Sequence, residues 1–434
     1  MTIEIELKFI ATADAAANLA DNLAQWPSEH SNGQKLSNTY FETADNQLRH
    51  WDMGLRIRGF GDSYEMTLKT AGQTVGGLHQ RPEYNVALTE PVLDIQRLPA
   101  EVWPENTDLD ALQQQLQPMF STNFVREKWV VTYQNSEIEV ALDQGDIVAG
   151  ELSEPLHEIE LELKKGQRDD LLAFAEELAK HDGLRLGSLS KAARGYALAK
   201  GNPPRELRPL PVLSVKPKTT VEQGMQSAFQ LALSQWQYHE ELWLRGNPEA
   251  LGEIRIALET LRQTFSLYGS LVPRKASSAL RQKLTALEEK LAEEQVDAAA
   301  LCFSSFWLET QLMLTNWIVG MNWREFVDTK ANAKLQGSFK RFSDIMLGRV
   351  SADLRETFSQ VKHPNDYQDK LIRLKHALLS VHLLAGCYDA ETVAAWIANW
   401  QQLQKGIQEK QEAWLDGYCR QAIKQPVFWK NSNA

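Results

Sequence analysis

The chain has 434 residues, a formal net charge of −11, 43% hydrophobic and 24% charged residues. That length suits two to three domains, each able to bury its own core, and the composition excludes a disordered or collagen-like chain. Three cysteines with no CxxC pair and nine histidines with no HExxH motif exclude a disulfide framework, a thiolate zinc cluster and a zinc hydrolase of that type. The opening MTIEIELKFI carries charge at alternate positions, unlike a signal peptide. The most apolar stretch, 298–323, is broken by Glu309, Gln311 and Asn316, too polar to span a bilayer. A reduced, soluble, cytoplasmic protein is expected, with no membrane or nucleic-acid partner.

From the N-terminus the pattern has period two. Ile3 to Phe9 alternates strictly, as a strand with two unlike faces does. Similar runs follow at 36–42, 53–59, 63–69, 78–88, 122–134, 136–143 and 156–163, with helical patterns at 14–25, 109–116 and 169–181. Eight strands against three helices read as an antiparallel α+β domain, open or closed into a barrel. Residues 201–217 then hold Pro203, Pro204, Pro209, Pro211 and Pro217, an extended linker. Beyond it the period changes to 3.6 at 220–245, 248–268, 275–294, 298–319, 367–384 and 391–419, which reads as an all-α helical bundle. Charge divides at the same place: residues 1–217 balance to −12 and 218–434 to +1. The expected domains are 1–200 and 218–434, joined by the linker.

The chemistry sits on the polar strand faces. Glu4, Glu6 and Lys8 share one face of the first strand, because residues i, i+2 and i+4 point the same way. Arg56 with Arg58, Thr67 with Lys69, Arg126 with Lys128, and Glu158 with Glu160 and Glu162 share faces in the same way. Each face alone also reads as a solvated strand with cross-strand ion pairs. Three carboxylates in a row repel one another, and a hard divalent cation offsets that cost. Acidic strands near both ends of the domain and basic strands between them suggest one enclosed site for a metal-bridged polyanion.

The Glu4-Ile5-Glu6-Leu7-Lys8 run resembles the ExExK signature of the CYTH superfamily, the triphosphate tunnel metalloenzymes. The resemblance continues in order through Asn38-Thr39-Tyr40-Phe41-Glu42-Thr43-Ala44-Asp45, Gly54-Leu55-Arg56-Ile57-Arg58, Thr67-Leu68-Lys69, Leu142-Asp143, Glu158 to Glu162, Ser190-Lys191 and Arg194-Gly195-Tyr196. It covers about residues 1–200. Asn38 and Glu42 replace the family's aspartates and are expected to be loop variation. The resemblance implies an eight-stranded antiparallel β-barrel whose polar interior is a tunnel for a triphosphate. It also implies that Glu4, Glu6, Glu160 and Glu162, with Glu158 and Asp143 as helpers, hold two Mg2+ or Mn2+ ions. Lys8, Arg56, Arg58, Lys69, Arg81, Arg126, Lys128 and Lys191 would grip phosphoryl oxygens, and Glu4, Glu6 and Lys8 would be catalytic.

In the helical half, residues 249–262 resemble the first helix motif of CHAD domains, with Arg255 and Arg262 on one helix face, and 373–378 is a weaker echo. Gly252 stands in place of that motif's histidine and Glu259-Thr260 in place of its Arg-Arg pair, so weak polyphosphate binding is expected. The activity implied is hydrolysis of inorganic triphosphate to pyrophosphate and orthophosphate, with nucleoside triphosphates as further substrates. A class IV-like adenylate cyclase and a non-catalytic polyphosphate-binding scaffold stand as alternatives. A barrel closed within 1–200 should keep activity as a fragment ending near Gly201.

Overall fold

The structure, a computed structural model, describes residues 1–429. Among the described residues ten strands occur: β1 (Thr2–Ala11), β2 (Ser28–Glu42), β3 (Gly54–Phe60), β4 (Ser63–Lys69), β5 (Gln73–Val75), β6 (Leu78–Leu88), β7 (Gln117–Tyr133), β8 (Ser136–Ala149), β9 (Leu152–Lys165) and β10 (Leu184–Leu186). Eight of them run antiparallel in the order β1-β9-β8-β7-β2-β3-β4-β6, and β6 pairs back onto β1, closing a barrel. Closure leaves no free edge among those eight. The short β5 and β10 add to β6 and β1 from outside the ring.

This barrel is inside-out relative to an ordinary core. On β1 the residues Leu7 and Phe9 point outward and are buried under helices, while Glu4, Glu6 and Lys8 face the interior. The same alternation holds on β9, where Ile159 and Leu161 join the outer core and Glu160 and Glu162 line the interior. The helices Ala13–Leu23 and Arg168–Leu178 cover that outer face. A second outer core, Leu55, Ile57, Met66 and Leu68, lies under Leu93, Ile95, Trp103 and Leu112. The helix Lys191–Ala199 is different. It packs Tyr196 and Leu198 against Leu36, Tyr40, Phe120 and Phe124. Gly195 is needed there, since a Cβ would lie 2.1 Å from the Phe120 ring.

The compact unit holding the barrel consists of Met1–Glu206 together with Glu294–Gly320. The second stretch lies in the helical half of the sequence, yet its helix Ser305–Gly320 buries Leu308 and Leu312 in the outer core. Phe303 O accepts from Gly183 N at 2.8 Å, Asp182 accepts from Ser305 N at 2.7 Å, and Asn316 donates to Glu176 at 3.2 Å. Gly76 (φ +63°) approaches Thr315 so closely that a Cβ would sit 2.1 Å from Thr315 Oγ1.

The other unit begins at Leu207 and is helical. Its first helix, Val221–Leu244, opens on a capping box between Thr220 and Gln223. The proline-rich residues leading into it carry no regular structure but are tied down, with Arg208 N bonded to His239 and Leu213 N to His382 O. Three helical patterns differ from the sequence reading. The 298–319 pattern breaks into Ala298–Cys302 and Ser305–Gly320. The 391–419 pattern breaks into Ala390–Gln408 and Glu412–Lys424, with Lys410 at φ +55° between them. A 21-residue helix, Phe339–Ser359, stands where no stripe was read. Its buried face includes Ser343, Ser351 and Thr357, which dilute the apolar period. Among the described residues, no helix is long and apolar enough to cross a membrane.

Candidate active-site tunnel

The barrel interior holds a cavity of about 710 Å³. Glu4, Glu6, Lys8, Arg56, Arg58, Lys69, Arg81, Arg126, Lys128, Glu160, Glu162 and Lys191 all line it. Asp143 and Glu158 are fully buried behind the lining. The sequence reading did not single out Tyr40, His79, Glu83, Glu139 or Lys164, which also line the cavity. Glu139 was within reach, because it lies on the same strand face as Asp143, four residues away.

Two acidic groups stand apart. The first is Asp143, Glu158 and Glu160, whose nearest oxygens all fall within 4.8 Å, the one such cluster among the described residues. Lys191 Nζ lies 2.8, 2.8 and 2.6 Å from an oxygen of each, so an ammonium already sits between them. Arg126 forms a fork with Asp143 and reaches Glu160, while Arg194 reaches Glu158 and Glu154. Burial opposes charge here, yet Asp143, Glu158 and Glu160 hold the Lys191 ammonium well above its usual range. Glu160, likewise buried, is held well below the usual carboxylate range by Lys191, Lys8 and Arg126. This network is internally neutralised.

The second group is Glu4, Glu6, Glu139 and Glu162. Register places Glu6 opposite Glu162, and Glu162 opposite Glu139, so three carboxylates stand abreast on β1, β9 and β8. Lys69 pairs with Glu4 at 2.6 Å and Lys164 with Glu162 at 2.9 Å, while Lys128 stays 3.6 Å from Glu139. Burial, with Glu4 and Glu139 nearby, still holds Glu162 above the usual carboxylate range against the pull of Lys164. Negative charge is left over on this wall. A hard oxygen donor set with surplus negative charge fits a divalent cation such as Mg2+ or Mn2+.

Positive charge is left over elsewhere. Burial, followed by Arg56 and Arg126, pushes Arg58 down to about 9. An arginine does not deprotonate at neutral pH, so Arg58 remains a cation, buried beside Arg56 and Arg126 with Asn38 rather than a carboxylate on its Nε. Arg56 Nε is buried with no hydrogen-bond partner. His79, opposite Glu6, is driven down to about 4 by burial and Lys8, and is neutral at pH 7. Cations such as Arg56 and Arg58 in the same cavity as a carboxylate-rich wall can accommodate a polyanion bridged by hard cations.

Asn38 and Glu42 lie on β2 and are not loop positions. Asn38 faces Arg58, and Glu42 is a buried acceptor for the amides of Thr43, Leu48 and Arg49 and for Tyr196 Oη at 2.8–2.9 Å. In the helical unit, Arg255 donates to Leu291 O at 2.7 Å, capping a helix end, and Arg262 forks onto Glu288. Both arginines of the CHAD-like motif are therefore engaged within that unit.

The first unit is a closed eight-stranded antiparallel barrel with a charged interior, and a helical unit accompanies it. The chain carries a CYTH domain over residues 2–196 and then a CHAD domain over residues 227–421. It is 42% identical over 203 residues to an inorganic triphosphatase of Haemophilus influenzae; the match covers 46% of this chain and 55% of that protein, so the two align over little more than half of the relative's length. Solved structures with likeness to parts of the chain include a Hippeastrum protein with a dominant triphosphatase activity (19% identical, 45% of this chain and 95% of that one, TM-score 0.33). Another is the CHAD domain from the plant Ricinus communis (16% identical, 50% and 84%, TM-score 0.38).

Proposed function

We propose that this protein is a metal-dependent hydrolase of inorganic triphosphate. The observation that carries the reading is the tunnel's charge pattern, a wall of Glu4, Glu6, Glu139 and Glu162 and the cations Arg56 and Arg58 lining the same cavity. The Haemophilus relative's activity, over the segment aligned with the CYTH domain, supports the same choice. In this reading Glu4, Glu6, Glu139 and Glu162 hold Mg2+ or Mn2+, two ions in the full site. Asp143, Glu158 and Glu160 instead hold Lys191 in place. Bound there, such ions supply charge neutralisation and a lowered pKa for coordinated water.

The chain's own groups do the rest. Arg56, Arg58, Lys69, Arg81, Arg126 and Lys128 bind non-bridging phosphoryl oxygens and align the anion, and phosphoryl transfer asks for little beyond such placement and charge. Lys8, held 3.4–3.7 Å from Glu160 and Glu158, and Lys191 place further cations in the interior. Water adds to the terminal phosphorus, the bridging P–O bond breaks, and pyrophosphate leaves with the bridging oxygen. The helical unit binds polyphosphate weakly, because Arg255 and Arg262 are already engaged.

The test is orthophosphate release by the full chain from tripolyphosphate, with Mg2+ or Mn2+ in turn, beside ATP and pyrophosphate. Orthophosphate from tripolyphosphate ahead of ATP is expected. Cyclic AMP plus pyrophosphate from ATP would replace the reading with a cyclase. Tight tripolyphosphate binding with no release under either metal would replace it with a scaffold.

A further inference from the structure

We propose that Asn38 is a specificity-determining positioning residue: it clamps Arg58 while leaving that arginine's charge uncompensated for the anion. The inference rests on the triphosphate reading of the tunnel and deepens it.

Asn38 is fully buried on β2, opposite Arg58 on β3 and Thr122 on β7. Its Nδ2 donates to Thr122 Oγ1 at 3.0 Å, and its Oδ1 accepts from Arg58 Nε at 2.8 Å. Arg Nε can only donate, so the amide orientation is set by chemistry on the arginine side. The contact uses one of five guanidinium N–H bonds and leaves the terminal ones for a ligand. Arg58 itself lines the cavity.

The neutrality of the clamp matters as much as its geometry. Aspartate has the same shape and would accept from Nε equally well, but it would pair Arg58 with a buried negative charge. Arg58 lies instead among the like charges of Arg56 and Arg126. That mutual repulsion is released when an anion binds, and released further by an anion of higher charge. An uncharged clamp therefore favours tripolyphosphate over pyrophosphate.

Asn38→Asp separates this role from packing. The variant loses the Nδ2 donor to Thr122 whatever the role of Asn38, so the melting temperature serves only to show that the chain is folded. A purely structural Asn38 leaves the folded variant's metal-free tripolyphosphate affinity and KM at the wild-type level. A charge-setting Asn38 moves both. Metal-free affinity and KM for tripolyphosphate then weaken roughly tenfold or more, the size of a lost charge-assisted contact, with kcat changed less and pyrophosphate affected less. Thr122→Val gives a second arm if the aspartate variant does not fold. It removes the shorter of the two Thr122 acceptors of Nδ2 and so loosens the clamp on Arg58, and KM should rise roughly three- to tenfold, the worth of one hydrogen bond. Affinities within twofold of wild type in both variants overturn the proposal. Wild-type chain that binds tripolyphosphate without hydrolysing it sinks the hydrolase reading, and the affinities still decide the role of Asn38. Wild-type chain that does not bind it overturns both.

Discussion

Cutting the chain after Gly201 tests how far the barrel stands by itself. The cut removes Ser305–Gly320, whose Leu308 and Leu312 are 0% and 1% exposed in the outer core. Losing burial of two leucines costs roughly 3–6 kcal/mol at about 1.5–3 kcal/mol each. The bonds of Gly183 to Phe303, Ser305 to Asp182 and Asn316 to Glu176 add about 0.5–1.5 kcal/mol apiece. The total, roughly 5–10 kcal/mol, rivals the 5–15 kcal/mol that stabilises a typical domain. A 1–201 fragment is therefore expected to be molten or aggregated, in contrast to the autonomous barrel that sequence alone suggested. Circular-dichroism melting and limited proteolysis of the fragment beside the full chain read this directly. In the full chain, Leu312→Ala should cost about 2–5 kcal/mol. A cooperative melt of the fragment within a few degrees of the full chain would refute the reasoning.

Replacing Glu6 or Glu139 by Gln keeps size but removes a hard anionic donor, and turnover should fall on the order of a thousandfold. Near-wild-type rates at saturating Mg2+ would take that residue out of the metal wall. Arg56→Ala and Lys69→Ala should each weaken tripolyphosphate more than pyrophosphate, because the longer anion spans more of the cationic wall; equal losses would reduce both to a general field. In the helical unit, Arg324, with Trp323 and Gln336, hydrogen-bonds Glu222 and pulls it to about 2 against an ordinary 4.5. Its folded pKa is depressed, so its stabilisation is present above 4.5 and is lost as pH falls toward about 2. Glu222→Gln should flatten that part of the melting-temperature profile, and an unchanged acid slope would count against it.

The barrel was legible because strand faces repeat every two residues, and an inside-out barrel writes its site on those faces. Glu4 to Lys8, Arg56 with Arg58, and Glu160 with Glu162 could be read as wall positions before any pairing was known. Which wall charges cancel could not be read. That depends on register and on Lys191, which arrives between Asp143, Glu158 and Glu160 from a helix more than 25 residues beyond β9. Glu139 shares strand parity with Asp143, a weaker signal in the sequence than three acidic residues at alternate positions. Asn38 and Glu42 looked like loop variation because a side chain's partner across the sheet leaves no local signature. The helix Phe339–Ser359 was hidden by the serines and threonine on its buried side. The segment Glu294–Gly320 has an ordinary helical stripe, and nothing in such a stripe says which core it will join.

That segment also sets an order of events during synthesis. The last strand of the sheet, β10, ends at Leu186, and the helix that completes the outer core ends at Gly320, so more than a hundred residues must be made between them. At about 5–20 residues per second, the interval is on the order of ten seconds. Throughout it, the surface around Leu184 and Leu186 waits without the leucines that cover it, while strands still able to mispair are present. The nascent chain therefore passes through a sticky half-finished barrel, and slower elongation across 207–293 would lengthen the time it can be captured by a holding chaperone or a neighbouring copy.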